Sequence, residues 1–185
     1  MLKRFNKFLH PTEHKVNKID FTPFVMRVDD KVLQVMRATN NDIPGLLLLE
    51  KEVYSGKTPW SEGAFESELS KTENSLYLVV YYESELIAMI GARFFNRETH
   101  ITNIAVALEF QGKHIGTDLL ELVIERAKAN KHECVSLEVS IENEQAKSLY
   151  RHLGFKDMFI RKNYYQDTNT DAINMILWLN KNKNS

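Results

Sequence analysis

The residues whose types and spacing could bind a charged ligand lie in one short stretch, residues 111–117. An apolar run over residues 101–106 precedes it, and apolar residues recur at helical spacing over 115–127. A tight loop from a strand into a helix points several backbone N–H groups in one direction. These groups lie at the positive end of the helix dipole, so the loop is an anion site that suits phosphate best. Gly112 and Gly116 let the main chain come close to such a ligand because they have no side chains. An ordinary strand-to-helix connection has the same pattern, so the loop alone leaves both interpretations open.

A second candidate is a carboxylate inside an apolar strand. In residues 134–139, Val135, Leu137 and Val139 point one way, and Glu138 points the other way with Cys134 and Ser136. A carboxylate within a central strand is costly unless it is paired or exposed to a cleft. Glu138 is therefore either a solvated strand residue or a functional residue.

A tyrosine follows on the next predicted helix. Tyr150 lies in an apolar helical stripe, where a tyrosine usually belongs to the core. We find no Ser-His-Asp or Cys-His arrangement, and Cys134 lies in an apolar strand without a nearby partner in sequence. A covalent route through a cysteine intermediate is therefore disfavoured. No Cys/His cluster has zinc spacing, so we expect no metal.

Composition limits the class of protein. The chain has 185 residues, of which 43% are hydrophobic and 26% are charged, as expected for one domain with a sizeable core. A net charge of -1 argues against a general nucleic-acid binder, so we expect no direct nucleic-acid contact. No apolar run approaches the length of a membrane span, and a single cysteine excludes an internal disulfide. We therefore expect a cytoplasmic protein without a membrane partner.

The predicted elements alternate between strands and helices. We expect a basic, partly mobile extension over 1–31, a domain over 32–180 and a polar tail over 181–185. The extension is either a solvated tail or an arm that touches ribosomal RNA. Thr39, Ser61 and either Glu142 or Asn143 are predicted to start helices, and Gly154 is predicted to end one. The predicted strands are 32–37, 76–82, 86–93, 99–106, 134–139, 155–165 and 172–179.

Four stretches together resemble a known family. The loop resembles the pyrophosphate-binding motif of the GNAT family of N-acetyltransferases, Gln/Arg-x-x-Gly-x-Gly/Ala, although His114 stands where the pattern has its first Gly. The segments Leu149-Tyr150, Leu153-Gly154-Phe155 and Asn163-Tyr164-Tyr165 resemble one branch, the ribosomal-protein-alanine N-acetyltransferases, as does Pro59-Trp60-Ser61-Glu62. The resemblance covers roughly residues 35–179.

The resemblance implies an α/β (α+β) GNAT fold. Such a fold has a central mixed, mostly antiparallel sheet that is splayed between its middle strands and flanked by helices. The implied cosubstrate is acetyl-CoA, with no metal. The main chain at the splay would hold the pantetheine arm and the acetyl carbonyl, and the loop would hold the pyrophosphate. The residues matched to the coenzyme are Ile104, Ala105, Val106, Gln111, Gly112, Lys113, His114, Ile115, Gly116, Thr117 and Asn143.

The resemblance also implies roles in the reaction. Acetyl transfer needs a neutral amine, and an α-amino group with a pKa of about 8 is easier to deprotonate than a lysine at about 10.4. Glu138 matches the family's general base and Tyr150 its general acid, acting in direct attack by the amine. Tyr54, Trp60, Tyr164 and Tyr165 are matched to the acceptor side, although Trp60 could equally pack in the core and Asn143 could be a helix cap.

Three functions remain open from the sequence. The first is acetylation of the N-terminal α-amine of a protein, and of a ribosomal protein in particular. The second is acetylation of a small polyamine-like substrate, which the acidic excess over residues 50–98 would favour. The third is a CoA-binding module without catalysis, for which His114 in the loop is the only support. We expect either a monomer or a homodimer.

Overall fold

An eight-stranded mixed sheet organises the part of the chain that the computed structural model describes, residues 19–165 and 169–179. Four α-helices flank it within those residues. The strands are β1 Phe24–Val28, β2 Lys31–Arg37, β3 Ser75–Tyr82, β4 Glu85–Phe94, β5 Glu98–Val106, β6 Cys134–Ser140, β7 Lys156–Tyr165 and β8 Thr170–Trp178. The helices are α1 Ile43–Val53, α2 Glu62–Leu69, α3 Ile115–Ala129 and α4 Glu144–His152.

The strand order is β1-β2-β3-β4-β5-β6-β8-β7. All neighbours are antiparallel except β5 and β6, which are parallel. That parallel pairing joins only Glu98–His100 to residues 134–136, and beyond it the two strands no longer pair. The predicted mixed, mostly antiparallel sheet that opens between its middle strands is therefore confirmed.

The core lies on both faces of the central strands. Nearly every residue of β3 and β4 is buried, because α1 packs against β4 and β5 and α3 packs against the same two strands. Both helices bury an apolar stripe, which on α3 runs from Ile115 through Leu119, Leu120 and Val123. Two layers of helices thus hold β5, which forms one wall of the opening.

The helix boundaries follow the capping residues read from the sequence. The Ser61 hydroxyl accepts the Ala64 N–H at 3.2 Å, and the Asn143 side chain accepts the Ala146 N–H at 3.0 Å. Thr39 and Asp42 form a capping box around a short 3-10 turn that leads into α1. These predicted helix starts are confirmed.

The sheet begins earlier than the predicted domain. β1 pairs with β2 through a tight turn in which Asp29 has a φ of 55°, and both Val28 and Ile19 are buried. The boundary expected at residues 31 and 32 therefore falls inside a β-hairpin. The expectations of a basic arm over residues 1–18 and of a polar tail over 181–185 lie outside the described residues. No helix in the described part of the chain is long and apolar enough to cross a bilayer.

Candidate active site

The opening between β5 and β6 creates a cleft with unpaired main chain on its walls. Beyond the parallel pairs, β5 keeps only β4 as a neighbour and β6 keeps only β8. The pairing of β4 with β5 also shifts by one residue, since Gly91 pairs with Asn103 and Ala92 pairs with Ile101. The extra residue, Thr102, forms a β-bulge that places His100 and Asn103 on the same face.

Glu138 is on β6 at this opening, and its carboxylate is enclosed by polar partners. Its side chain is only 3% exposed. One carboxylate oxygen lies 3.1 Å from Arg161 Nε and accepts a hydrogen bond from Asn174 Nδ2 at 3.1 Å. The other oxygen lies 3.3 Å from His100 Nε2. The costly strand carboxylate seen in the sequence is therefore paired, on three sides.

These partners act on the proton affinity of Glu138 in opposite directions. Burial raises the pKa of the Glu138 carboxyl above its ordinary value, while Arg161 and Asn174 lower it and the nearby Glu98 raises it. Burial is the largest of these causes. A carboxylate with a raised pKa is a better proton acceptor than an ordinary glutamate, as a general base for an ammonium group requires.

Tyr150, on α4, is buried and packs against Phe155 with the ring centroids 5.9 Å apart. This position agrees with the core reading of its apolar stripe. Burial raises the pKa of the Tyr150 phenol, and the phenol of Tyr54 adds to the effect. Tyr150 therefore keeps its proton at neutral pH and can only donate it.

Tyr164 and Tyr165 lie near enough to Glu138, and Tyr54 near enough to Tyr150 and Tyr165, to affect one another's pKa. We call Tyr54, Tyr164 and Tyr165 the aromatic wall. The rings of Tyr164 and Tyr165 meet edge to face at 5.1 Å. Partial burial raises the pKa of Tyr164 to about 12, and the charge of Glu138 contributes. Burial also raises the pKa of Tyr165, with smaller contributions from Tyr164, Tyr54 and Tyr150. The structure thus brings these predicted acceptor-side residues together with the predicted acid and base.

Trp60 has a different environment. It is half-buried and packs against the tilted rings of Phe65 and Tyr77, with ring centroids 5.2 and 6.4 Å away. Its backbone N–H donates to the Glu50 carboxylate at 2.9 Å. The packing role considered from the sequence is what the structure shows, and an acceptor role for Trp60 stays a prediction.

Glu50 is a site residue that the sequence analysis missed. This residue of α1 is fully buried, and its carboxylate also accepts a hydrogen bond from Asn103 Nδ2 at 3.1 Å. Burial raises the pKa of Glu50. Partial burial, and after it the charge of Glu50, raises the pKa of Tyr54 to about 12. The signal was available, because Glu50 falls at i+4 from Leu46 and i+7 from Ile43, on the apolar stripe of the helix.

The loop over residues 111–117 has the main-chain geometry of an anion site. Gly112 and His114 both have left-handed φ, at 74° and 64°. Within the described residues, no protein group accepts a hydrogen bond from the six consecutive backbone N–H groups of residues 112–117. They lie at the N-terminus of α3, a 15-residue helix, where the helix dipole favours negative charge.

The departure of His114 from the family pattern has a structural reading. The position needs a positive φ, which explains why glycine suits it, and histidine is among the residues that tolerate this conformation. The Gln111 side chain donates to the Val106 carbonyl at 3.0 Å and ties the loop to the end of β5. The loop therefore keeps its shape without a glycine at position 114.

The residues predicted to hold acetyl-CoA lie at the open edge of β5, in the loop before α3 and at the start of α4, and their role stays a prediction. Ile104, Ala105 and Val106 line the open edge of β5, and the donors of the loop follow directly. Asn143 caps α4 through its side-chain oxygen, which leaves its amide N–H₂ for a ligand. Lys113 forms an ion pair with Asp29 at 2.9 Å, so a phosphate there would compete with Asp29 for the ammonium group.

Comparison with known proteins adds an independent finding. Residues 43–155, more than half of the chain, match the model of the acetyltransferase (GNAT) family. The chain is 32% identical over 138 residues to the ribosomal protein bS18-alanine N-acetyltransferase of Escherichia coli, covering 74% of this chain and 90% of that protein. It is 29% identical over 154 residues to the N-alpha-acetyltransferase RimI of Mycobacterium tuberculosis, covering 81% and 95%.

A solved structure gives the same result. The crystal structure of the ribosomal-protein-S18-alanine N-acetyltransferase from Escherichia coli superposes with a TM-score of 0.70 and 28% identity. The match covers 83% of this chain and 99% of that one. Both the fold and the order of its elements are therefore shared with this enzyme.

Proposed function

The chain belongs to the acetyltransferase (GNAT) family and is an N-acetyltransferase, and on that premise we propose that it acetylates the N-terminal α-amine of a protein, first of all a ribosomal protein. The observation that carries the proposal is the convergence of Glu138, Tyr150 and the aromatic wall at the opening of the sheet. The relatives named for N-terminal acetylation of ribosomal protein bS18 support the choice of acceptor.

Acetyl-CoA supplies the activated acetyl group. The N–H groups of residues 112–117 would hold its pyrophosphate, and the open edge of β5 near Val106 would hold its thioester arm. Backbone N–H groups at that edge would stabilise the oxyanion that forms when the amine adds to the acetyl carbonyl. Asn143 would add one hydrogen bond to the arm.

Glu138 would remove the proton that keeps the incoming amine from attacking. A free α-amino group has a pKa of about 8, so that most of it is protonated at neutral pH. A lysine is harder to use by more than two pKa units, or roughly 3 kcal/mol. A carboxylate whose pKa burial has raised is suited to the easier of these two amines.

Tyr150 would act on the leaving group. The tetrahedral intermediate collapses by breaking its carbon–sulfur bond, which leaves negative charge on sulfur. A phenol that keeps its proton at neutral pH can donate a hydrogen bond, and then the proton, to that sulfur. The enclosed position of Tyr150 keeps water from competing for the same role.

A second acceptor class has its own support. The carboxylate of Glu50 lies near enough to Tyr54, and that of Glu138 near enough to Tyr164, to raise the pKa of these phenols, and a cationic polyamine beside the aromatic wall would be attracted to both carboxylates. The wall itself suits a peptide equally well. The two acceptors differ in the amine attacked, which an assay can distinguish.

The test is acetyl-CoA consumption against a panel of acceptors. The panel holds peptides with the N-terminal sequences of the ribosomal proteins, the same peptides with a blocked α-amine, and linear polyamines. Turnover with the free N-terminal peptides, and none with the blocked ones, is the expected result. Turnover with polyamines alone would replace the proposed acceptor by the second class, and no turnover with any amine would contradict both.

A further inference from the structure

A chain of hydrogen-bonding groups leads from Glu138 away from the cleft. His100 Nε2 lies 3.3 Å from the Glu138 carboxylate, and His100 Nδ1 lies 2.8 Å from the Ser136 hydroxyl oxygen. The Ser136 hydroxyl in turn makes a hydrogen bond to a carboxylate oxygen of Glu98. The parallel pairing of β5 with β6 builds this row, because His100 pairs directly with Ser136. On the same face, Glu98 lies two residues before His100 on β5 and Glu138 lies two residues after Ser136 on β6.

The four groups differ in their access to solvent. The Glu138 side chain is 3% exposed, and His100 and Ser136 are buried, whereas Glu98 is half-buried at the start of β5. The chain therefore runs from an enclosed carboxylate to one that reaches water. Glu138 needs such a route, because a base that takes a proton from each acceptor amine must release it before the next turnover.

His100 has the right protonation state for a relay. Burial lowers the pKa of His100 to about 4, with Arg161 and Arg93 lowering it further and Glu68 opposing them. A neutral imidazole has one nitrogen that donates and one that accepts, so it can receive a proton at one side and give one up at the other. Burial first, and Arg161 and Arg93 after it, thus keep His100 neutral between the two carboxylates.

We propose that His100, Ser136 and Glu98 form a proton relay that carries the proton of the acceptor amine from Glu138 to solvent. In the first arrangement, protonated Glu138 donates to His100 Nε2, His100 Nδ1–H donates to Ser136, and Ser136 donates to the Glu98 carboxylate. Each proton then moves one step along its own hydrogen bond. Glu138 becomes ionised, His100 carries its proton on Nε2, and Glu98 is protonated and can lose its proton to water.

Both arrangements satisfy every hydrogen bond in the row, and they differ only in which carboxylate is protonated. Only O–H and N–H bonds are made or broken, and the negative charge moves from Glu98 to Glu138. The relay rests on the proposed role of Glu138 as the base. His100, Ser136 and Glu98 act through Glu138 and do not touch the substrate.

The relay is tested by two substitutions that interrupt it away from the base. Ser136→Ala removes the middle hydroxyl, and Glu98→Gln keeps a hydrogen-bond acceptor for Ser136 but does not accept a proton. Each is expected to lower kcat about 10-fold and to leave both KM values within about two-fold. Added imidazole buffer is expected to restore part of the lost kcat, because a small base can carry the proton that the relay no longer carries.

The controls separate this effect from packing. Ser75→Ala removes a buried strand serine on β3, and Glu85→Gln neutralises an exposed strand glutamate on β4. Neither is expected to change kcat or its dependence on buffer. Loss of kcat in Ser136→Ala and Glu98→Gln without rescue by imidazole would contradict the relay, because a structural defect does not respond to buffer.

A third variant distinguishes the two proposals. If Glu138→Gln abolishes turnover while Ser136→Ala and Glu98→Gln keep the full kcat, the relay is wrong and the base assignment stands. If Glu138→Gln retains turnover, the base assignment fails and the relay fails with it.

Discussion

The guanidinium Nε of Arg161 lies 3.1 Å from a carboxylate oxygen of Glu138, and this ion pair joins β7 to β6 across β8. The Arg161 side chain is 28% exposed and that of Glu138 is 3% exposed, so the pair lies at the boundary between the surface and the interior. Arg161 therefore partly offsets the rise that burial causes in the pKa of Glu138. If Glu138 is the base, as proposed, this pair lowers the pH at which the base becomes available.

Removing this charge should move the pH profile. Activity falls as the pH drops through the pKa of Glu138, which burial raises and Arg161 lowers. Arg161→Gln removes the lowering contribution, so the acidic limb of kcat/KM should move to higher pH by about 1 unit. Arg151→Gln is the control, because this substitution removes the same charge from a surface residue that pairs with Asp157. A limb that stays in place, or moves to lower pH, in Arg161→Gln would contradict the assignment.

Two substitutions in the loop should have opposite effects on stability. His114 and Gly112 both have left-handed φ. His114→Gly relieves the steric cost of that conformation and should raise the free energy of unfolding by about 1 kcal/mol, whereas Gly112→Ala should lower it by a similar amount. Chemical denaturation measures both. The KM for acetyl-CoA should stay within about two-fold in His114→Gly, because the proposed donors are backbone N–H groups. A large rise in that KM would show that the imidazole itself binds the coenzyme.

Loss of one hydroxyl should slow the reaction without weakening binding. Tyr150→Phe keeps the ring that packs against Phe155 and removes the proton proposed for the leaving sulfur. We expect kcat to fall by about 10- to 100-fold while the KM for acetyl-CoA holds. Tyr81→Phe removes a phenol that donates to Asp42 near the start of α1, and should leave kcat unchanged. Equal kcat in the two variants would contradict the proposed role of Tyr150 as proton donor to the sulfur.

Glu50 should be needed for stability. Glu50→Ala leaves the Trp60 N–H and the Asn103 amide without their acceptor, at a cost of about 1–3 kcal/mol in the free energy of unfolding. Glu66→Ala, on an exposed position of α2, is the matched control and should change stability by less than about 0.5 kcal/mol. Equilibrium unfolding in urea compares the two, and equal stabilities would contradict a supporting role for Glu50.

Local patterns predicted most of the regular structure. Ser61 and Asn143 cap helices because their side chains satisfy nearby N–H groups, which is a property of neighbouring residues in the chain. Gly154 ends α4 with a φ of 95° for the same local reason. Local patterns did not predict β1, because its partner and register depend on pairing with β2 and on the left-handed turn at Asp29.

The candidate site was predicted only where a local pattern or a motif marked it. The strand pattern singled out Glu138, and the resemblance supplied the roles of Glu138 and Tyr150. The contact of Glu138 with His100 was not predicted, because it joins residues 38 apart through the parallel pairing of β5 and β6. The β-bulge at Thr102, which places His100 and Asn103 on one face, has no signal in the sequence. Contacts of this kind arise from sheet topology and need the fold to be seen.

The measurement that tests the account most directly is turnover and acetyl-CoA binding in Glu138→Gln. The variant keeps the shape of the side chain and one acceptor oxygen but takes up no proton. We expect kcat with an N-terminal peptide to fall by about 100-fold or more, while the Kd for acetyl-CoA from calorimetry stays within about two-fold. Glu121→Gln, exposed on α3, should match the unsubstituted enzyme in both. Full turnover in Glu138→Gln would contradict the central claim that this carboxylate deprotonates the acceptor amine.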